Sequence, residues 1–341
     1  FDPQEAQRED APILHDYAPD NLVKHIPIRK GDVEQGFADA DLVIEQSFET
    51  QAVEHAYLEP EAGIAYVDAD EVLTIHAPDQ NITHHRHMLS EILSRPINRI
   101  RLIMSPVGGG FGGKEDMIYQ GMLALMTLKT RRPVRLVFTR EESITASAKR
   151  HPARISYKMG LTRDGRILAS KLKAVCDGGA YGMSTEGVMR KMAILGAGPY
   201  AVPNLQVDTY GIYTNNTPSG AFRTFGAMQS QFTTESMLDL AAEKLGLDPF
   251  ELRLRNSMQA GDTTHTRQPL NSVSFPRVLA AARDGAGWHS GPPTVRGPQR
   301  SDLHGDGNRD HCSLGARLHR QGRPSDDHRS NQAMKRGRGM A

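Results

Sequence analysis

The 341-residue chain has little cysteine, little net charge and no long apolar run, and each shortage excludes something. Its two cysteines are Cys176 and Cys312. An iron–sulfur cluster takes about four thiolates, and a Cys-rich zinc site needs more than a pair. Any redox cluster this protein uses is therefore expected on another chain. Formal net charge is +1, so no global field draws the protein to nucleic acid or to an anionic membrane. No apolar stretch approaches the roughly 20 residues that a membrane helix requires. The single tryptophan is Trp288, and beyond it aromatic and β-branched residues nearly vanish. Residues 289–341 are rich in Arg, His, Gly, Ser, Pro and Asp, which cannot bury enough apolar surface to offset ordering entropy. The expectation is one domain over 1–288 and a low-complexity tail over 289–341, disordered or produced by a reading-frame error. The opening F-D-P-Q-E-A-Q-R-E-D has neither an initiator Met nor a basic-then-apolar leader. Processing or truncation is expected to have removed the true start. The cytoplasm is then the expected compartment, with the periplasm left open.

Alternation is plentiful between these limits. L-V-I-E-Q-S-F-E-T, G-I-A-Y-V and E-V-L-T-I-H-A, within 41–77, read as strands. I-R-L-I-M (100–104) and V-R-L-V-F (134–138) read likewise. Residues 154–178 predict a two-stranded unit turned by Arg163-Asp164-Gly165. Helical spacing at Ile82, Met88, Leu89, Ile92 and Leu93 predicts a helix over 81–94, stopped by Pro96 and Asn98. Residues 117–128 predict a buried apolar helix, with Met117, Met122 and Met126 as core filler. Residues 229–246 predict the longest helix, with Gly246 as its C-cap. A further helix begins at D-P-F-E-L-R-L-R-N (248–256), with Asp248 capping it and Pro249 in its first turn. Strands and helices abound without a regular βαβ repeat. The class is α+β: mixed sheets with packed helices and an irregular tail.

The chemistry concentrates in V-G-G-G-F-G-G-K-E-D, residues 107–116. Two phosphate motifs half-match it. Gly108-x-x-x-x-Gly113-Lys114 is a P-loop until Glu115 takes the place of the magnesium-binding hydroxyl. Gly108-x-Gly110-x-x-Gly113 fits a dinucleotide fingerprint, with strand, helix and strand in order. Acids, however, open the helix that should receive a pyrophosphate. A tight strand-to-helix turn needs fewer glycines, since each adds entropy cost. What is left is a loop whose bare N–H groups approach a bulky, rigid ligand.

G-G-G-F-G-G-K-E resembles the first molybdenum-cofactor-binding region of the xanthine dehydrogenase/aldehyde oxidase, or molybdenum hydroxylase, family. Other segments carry the same likeness, in one order over about residues 20–288. E-H-A-Y-L-E-P-E (54–61) is similar to the family's E-H-x-x-L-E segment. Gln80, in A-P-D-Q, falls where the family has the glutamine of S-T-Q. R-H-P-A-R-I-S-Y-K-M-G (150–160) matches an R-H-P segment. G-A-F-R-T-F-G-A-M-Q (220–229) resembles A-F-R-G-F-G-x-P-Q, with Thr224 replacing a glycine and Met228 a proline. D-P-F-E-L-R-L-R-N matches the helix that follows.

The resemblance implies a molybdenum–pyranopterin cofactor, in its plain or cytosine-dinucleotide form, with Gln80, Gly110, Phe111, Gly112 and Arg223 around it and no side chain ligating the metal. It implies that Glu115 bonds a polar heterocycle, that Phe225 forms an aromatic wall, and that Arg190, near the register of a substrate-orienting arginine, stabilises developing negative charge. The implied reaction hydroxylates a purine-like N-heterocycle or an aldehyde with water as oxygen donor. Electrons would leave to 2Fe-2S and FAD groups on partner subunits. The family's base is a glutamate in G-x-G-E, which does not occur here. K-R-G-R-G-M-A (335–341) resembles the start of the family's second domain. The chain is thus expected to be part of a large subunit, inactive alone and completed by the rest of that subunit. A truncated or degenerate, non-catalytic member that keeps the fold and the partner surface is the competing expectation. His84 and His87, at helical spacing, are read as a solvated face rather than a zinc site. His55 and Glu59 are read as packing and hydrogen-bonding residues. Lys129, Arg131 and Arg132 compensate a helix dipole, and Cys176 is a buried hydrophobe.

Overall fold

Every run that alternates in the sequence is a strand in the computed structural model, which describes residues 1–288; the tail expected over 289–341 lies outside the described residues. In chain order the elements are β1 (Leu22–Lys30), α1 (Val33–Ala38), β2 (Leu42–Thr50), β3 (Ala62–Val67), β4 (Leu73–Ala77), α2 (Ile82–Ile92) and β5 (Ile100–Met104). Then come α3 (Gln120–Thr130), β6 (Val134–Val137), α4 (Arg140–Ala146), β7 (Ala153–Leu161), β8 (Ile167–Gly179) and α5 (Thr185–Ile194). β9 (Asn204–Tyr213), α6 (Ala227–Leu245), α7 (Pro249–Asn256) and α8 (Phe275–Gly285) complete the described chain.

Two mixed sheets result. The larger has the order β1-β9-β8-β7-β2, with β8 and β9 parallel and the other pairs antiparallel. β1 is an edge strand, as Pro27 requires, since proline has no N–H for a second ladder. β7 and β8 form the expected hairpin, and Gly165 turns it with φ +86°. Met189 and Met192 of α5 and Met237, Leu238 and Ala241 of α6 bury against Ile155, Tyr157, Leu172 and Val207 of this sheet. Each large side chain buried there contributes roughly 1.5–3 kcal/mol. The ends of α6 and α7 follow the expected chemistry. Gly246 closes α6 at φ +65°, and the Asp248 carboxylate accepts from Phe250 N (2.9 Å) and Glu251 N (3.1 Å) at the start of α7.

The smaller sheet has the order β5-β4-β3-β6. Leu73, Ile75, Leu89, Ile100, Tyr119 and Leu123 fill its core. This order rejects the dinucleotide fingerprint. The strands before and after the glycine loop and α3 lie at opposite edges, with β4 and β3 between them, so no mononucleotide-binding βαβ unit forms. The expectation for α3 also needs correction. The helix starts at Gln120, and only the face bearing Leu123, Ala124 and Thr127 is buried. Met122, Leu125 and Met126 are each nearly half exposed, because one sheet covers one side of a helix. They are not core filler.

Candidate active site

The glycine loop leaves β5 and is gripped from three sides before α3 begins. Glu59 accepts from Gly108 N (2.7 Å) and pairs with the Lys114 ammonium. Lys114 is buried, with its ammonium 4.8 Å from the centre of the Tyr57 ring. A P-loop lysine must face the ligand, whereas this one is consumed inside the protein. Gln80 donates its backbone N–H to Lys114 O (2.9 Å), and its Oε1 accepts from Gly112 N (3.1 Å) and Lys114 N (3.2 Å). That pairing fixes the amide's orientation and leaves Nε2 as its outward donor. A Cβ at Gly110 would lie 2.3 Å from Gln80 Oε1 and would push that amide off the loop it clamps. At Gly112, φ is +102° and a Cβ would meet Ala221 O at 2.6 Å. Among the described residues no acceptor bonds the N–H of Gly109, Gly110 or Phe111.

The second motif-bearing stretch, 220–226, docks on this loop. Arg223 N donates to Phe111 O (2.9 Å), and Asp116 Oδ2 accepts from Ala221 N (3.1 Å). His55 Nε2 donates to Ala221 O (2.7 Å), and its ring stacks on Phe222 at 4.3 Å. The Arg150 guanidinium lies 3.9 Å from the centre of that phenyl ring and donates to Arg223 O at 3.1 Å. Thr224 (φ +77°), Phe225 (φ +52°) and Gly226 (φ +96°) then turn the chain into α6. Phe225 is half-buried against Gly187 of α5, and Arg223 is exposed.

Seven of the eight expected site residues therefore belong to two touching loops and the Gln80 segment. Arg190 does not join them: it is exposed and paired with Glu186 at 2.8 Å, one helical turn back on α5. His84 and His87 are exposed, as expected of a solvated face. His55 and Glu59 bond and pack as expected, although Tyr57 and its neighbours form no helix. Four further residues hold the loops in ways the sequence did not indicate: Asp79, Lys114 and Arg150, within the quoted motifs, and His85, outside them. His85 is fully buried between Asp79 Oδ2 (2.6 Å) and Glu115 O (2.8 Å). Its spacing of four from Leu89 on α2 was the available signal for an inward face.

Burial raises the Glu115 carboxyl above its ordinary range, and the neighbouring Asp116 adds to the shift. Burial likewise raises Asp116, against the hydrogen bond from Ala221. Burial lowers His55, so it is a neutral ring donating one hydrogen bond. Cys176 is buried and its thiol is raised, which removes it as a nucleophile. The junction thus offers backbone N–H donors, one amide donor, a carboxyl raised by burial, and aromatic edges. Such a set suits a rigid polar cofactor beside a flat, hydrogen-bonding substrate.

Comparison with known proteins agrees with this chemistry. Residues 14–257 match the model of the molybdopterin cofactor-binding domain. The nicotinate dehydrogenase large molybdopterin subunit of Eubacterium barkeri is 39% identical over 287 residues, covering 84% of this chain and 67% of that protein. The xanthine dehydrogenase molybdenum-binding subunit of Escherichia coli is 33% identical over 294 residues, covering 84% of this chain and 38% of that protein. The solved aldehyde oxidoreductase of Desulfovibrio gigas superposes with a TM-score of 0.78 at 32% identity, covering 82% of this chain and 31% of that one. The chain thus spans between about a third and two thirds of these relatives. It belongs to the molybdenum hydroxylase family of oxidoreductases, as a molybdopterin cofactor-binding domain.

Proposed function

We propose that the intact protein hydroxylates an N-heterocycle with water as oxygen donor, using a molybdenum–pterin cofactor held at the junction of the two loops. The observation that carries this reading is the Gln80-clamped glycine loop docked on the Arg223 loop. The residues present fit such a group. Glycines at 110 and 112 keep side chains away, and three consecutive N–H groups, on Gly109, Gly110 and Phe111, have no acceptor among the described residues. Gln80 Nε2 adds a fourth donor, and Arg223 is exposed next to them. When bound, the cofactor supplies two-electron redox chemistry and activation of water at neutral pH.

The chain's own residues bind and orient. Glu115, its carboxyl raised by burial and Asp116, hydrogen-bonds a ring nitrogen or a ring N–H. Phe225 and the exposed Phe111 flank a flat substrate. Arg190 would have to leave Glu186 to reach a substrate oxygen, which makes it the weakest of the proposed contacts. The likeness to a nicotinate dehydrogenase subunit favours a heterocycle over a simple aldehyde. Electrons pass to iron–sulfur and FAD groups on partner subunits, in keeping with relatives that are themselves named as subunits. The chain alone does not turn over, because its sequence holds no G-x-G-E glutamate. Among the described residues no helix is long and apolar enough to cross a membrane.

The test is metal and pterin analysis of the intact protein purified with its partner subunits, followed by assays on nicotinate, purines and aldehydes. About one molybdenum per chain and turnover of a heterocycle are expected. Absence of molybdenum would sink the cofactor assignment, and turnover of aldehydes alone would sink the substrate class.

A further inference from the structure

Gln80 and Glu115 are joined by a residue outside every motif. His85 has no exposed surface, and each ring nitrogen faces an oxygen: Nδ1 the Asp79 carboxylate at 2.6 Å, Nε2 the Glu115 carbonyl at 2.8 Å. The Glu115 carbonyl can only accept, so Nε2–H donates to it and Nδ1 is left to bond the Asp79 carboxyl. Asp79 is itself buried and also accepts from Asn81 N at 2.6 Å and Gln120 Nε2 at 3.4 Å. The other charged groups around the ring are the Glu115 and Asp116 carboxyls, and the neighbouring His84 ring is 6.4 Å away. Gln80 N meanwhile holds Lys114 O at 2.9 Å. Two consecutive carbonyls of the glycine loop, those of Lys114 and Glu115, are therefore fastened to one platform. Asp79 stands where the S-T-Q pattern has threonine, and its carboxyl is what meets the His85 ring.

We infer that His85 is a positioning residue: bonded to Asp79 on one side and to the Glu115 carbonyl on the other, it locks Glu115 and the glycine loop onto the segment that carries Gln80. Only its consequence for substrate binding rests on the proposed function. Freeing the Glu115 carbonyl lets the loop rotate about Gly112–Gly113. The carboxyl that would meet the substrate then loses its fixed place.

The test is hydrogen exchange of the peptide covering 107–119 in the full 341-residue chain. His85→Ala should speed exchange there about tenfold, the loss expected for one buried hydrogen bond, and leave the β7–β8 hairpin unchanged. Added imidazole should restore slow exchange, whereas 1-methylimidazole, with one nitrogen blocked, should not. Asp79→Asn keeps the shape and should loosen the same peptide; it serves if His85→Ala fails to fold. His84→Ala should change nothing. Unaltered loop exchange in both Asp79→Asn and His85→Ala, or equal rescue by 1-methylimidazole, overturns the inference. In the intact, molybdenum-loaded enzyme, His85→Ala should raise KM for a heterocycle about tenfold with a smaller change in kcat. An enzyme that turns over no heterocycle defeats the substrate reading, and the exchange data still decide the role of His85.

Discussion

Residues 108–113 and 220–226 both carry the chain through left-handed backbone just before a helix, and they reach that geometry differently. The first spends five glycines on it, leaving only Phe111 (φ +53°) as a side chain in the left-handed region. The second has Thr224 and Phe225 in that region ahead of Gly226. Glycine removes the steric cost but leaves a chain with more freedom to lose. Hence the first loop needs clamps from outside: Glu59, Gln80 and His85, which lie 30 or more residues away. The second accepts strain and adds packing to its own outside hydrogen bonds, from His55, Asp116 and Arg150. His55 and Arg150 hold Phe222, Phe225 fills the space beside Gly187, and Thr224 Oγ1 accepts from Met228 N at 3.1 Å in the first turn of α6. The first loop offers the N–H groups of Gly109, Gly110 and Phe111, which have no acceptor among the described residues, and the second adds the exposed side chain of Arg223.

Four substitutions separate the two modes. The largest effect is expected for Gly112→Ala. It forces φ +102° on an L-residue and drives a Cβ against Ala221 O at 2.6 Å, with backbone on both sides. A loss of about 3 kcal/mol or more in urea unfolding follows, together with loosening of both loops. Gln80→Ala leaves the Gly112 and Lys114 N–H groups without their acceptor, at about 1–3 kcal/mol in the same measurement. Thr224→Ala keeps the strain and loses the hydrogen bond from Met228 N, so about 1 kcal/mol should go. Thr224→Gly loses that bond but relieves the strain, and should fall within about 1 kcal/mol of the parent. Equal losses for the two would show that the hydroxyl matters and the backbone does not.

The smallest effect is expected for Glu115→Gln, and it has a sign. The Glu115 carboxyl is raised in the folded chain, first by burial and then by Asp116. The folded state binds that proton more tightly than the unfolded state. Ionisation therefore costs stability as pH rises through the raised value, and the cost is absent below the ordinary carboxylate range. Glu115→Gln should stabilise the chain at pH near 7 by less than about 1 kcal/mol, since the site is partly solvated. Thermal melts at falling pH should show the gain disappearing. A gain that grows toward acid would refute the raised carboxyl.

The molybdenum-family loops were legible because each is a short contiguous run whose residues act together. Gln80 was legible by its separation from one of them. The strands were legible because period-two alternation survives in one dimension, although β1 and β9 passed unnoticed beside stronger runs. Lys114 was misleading within a phosphate motif because its partner, Glu59, is 55 residues away. Arg190 looked like a substrate residue by register, yet an i,i+4 carboxylate on its own helix engages it.

By itself, then, the sequence determined the α+β class, the cofactor family and the two motif-bearing loops, since these depend on local residue type and order. The tertiary structure alone decided that the β5–β6 crossover spans two intervening strands, that α3 is half exposed, and that Lys114 turns inward. It also decided that a buried histidine on α2 fastens the glycine loop. Each of these depends on which distant groups share a few cubic ångströms, and a buried polar atom must find its partner wherever the fold brings one.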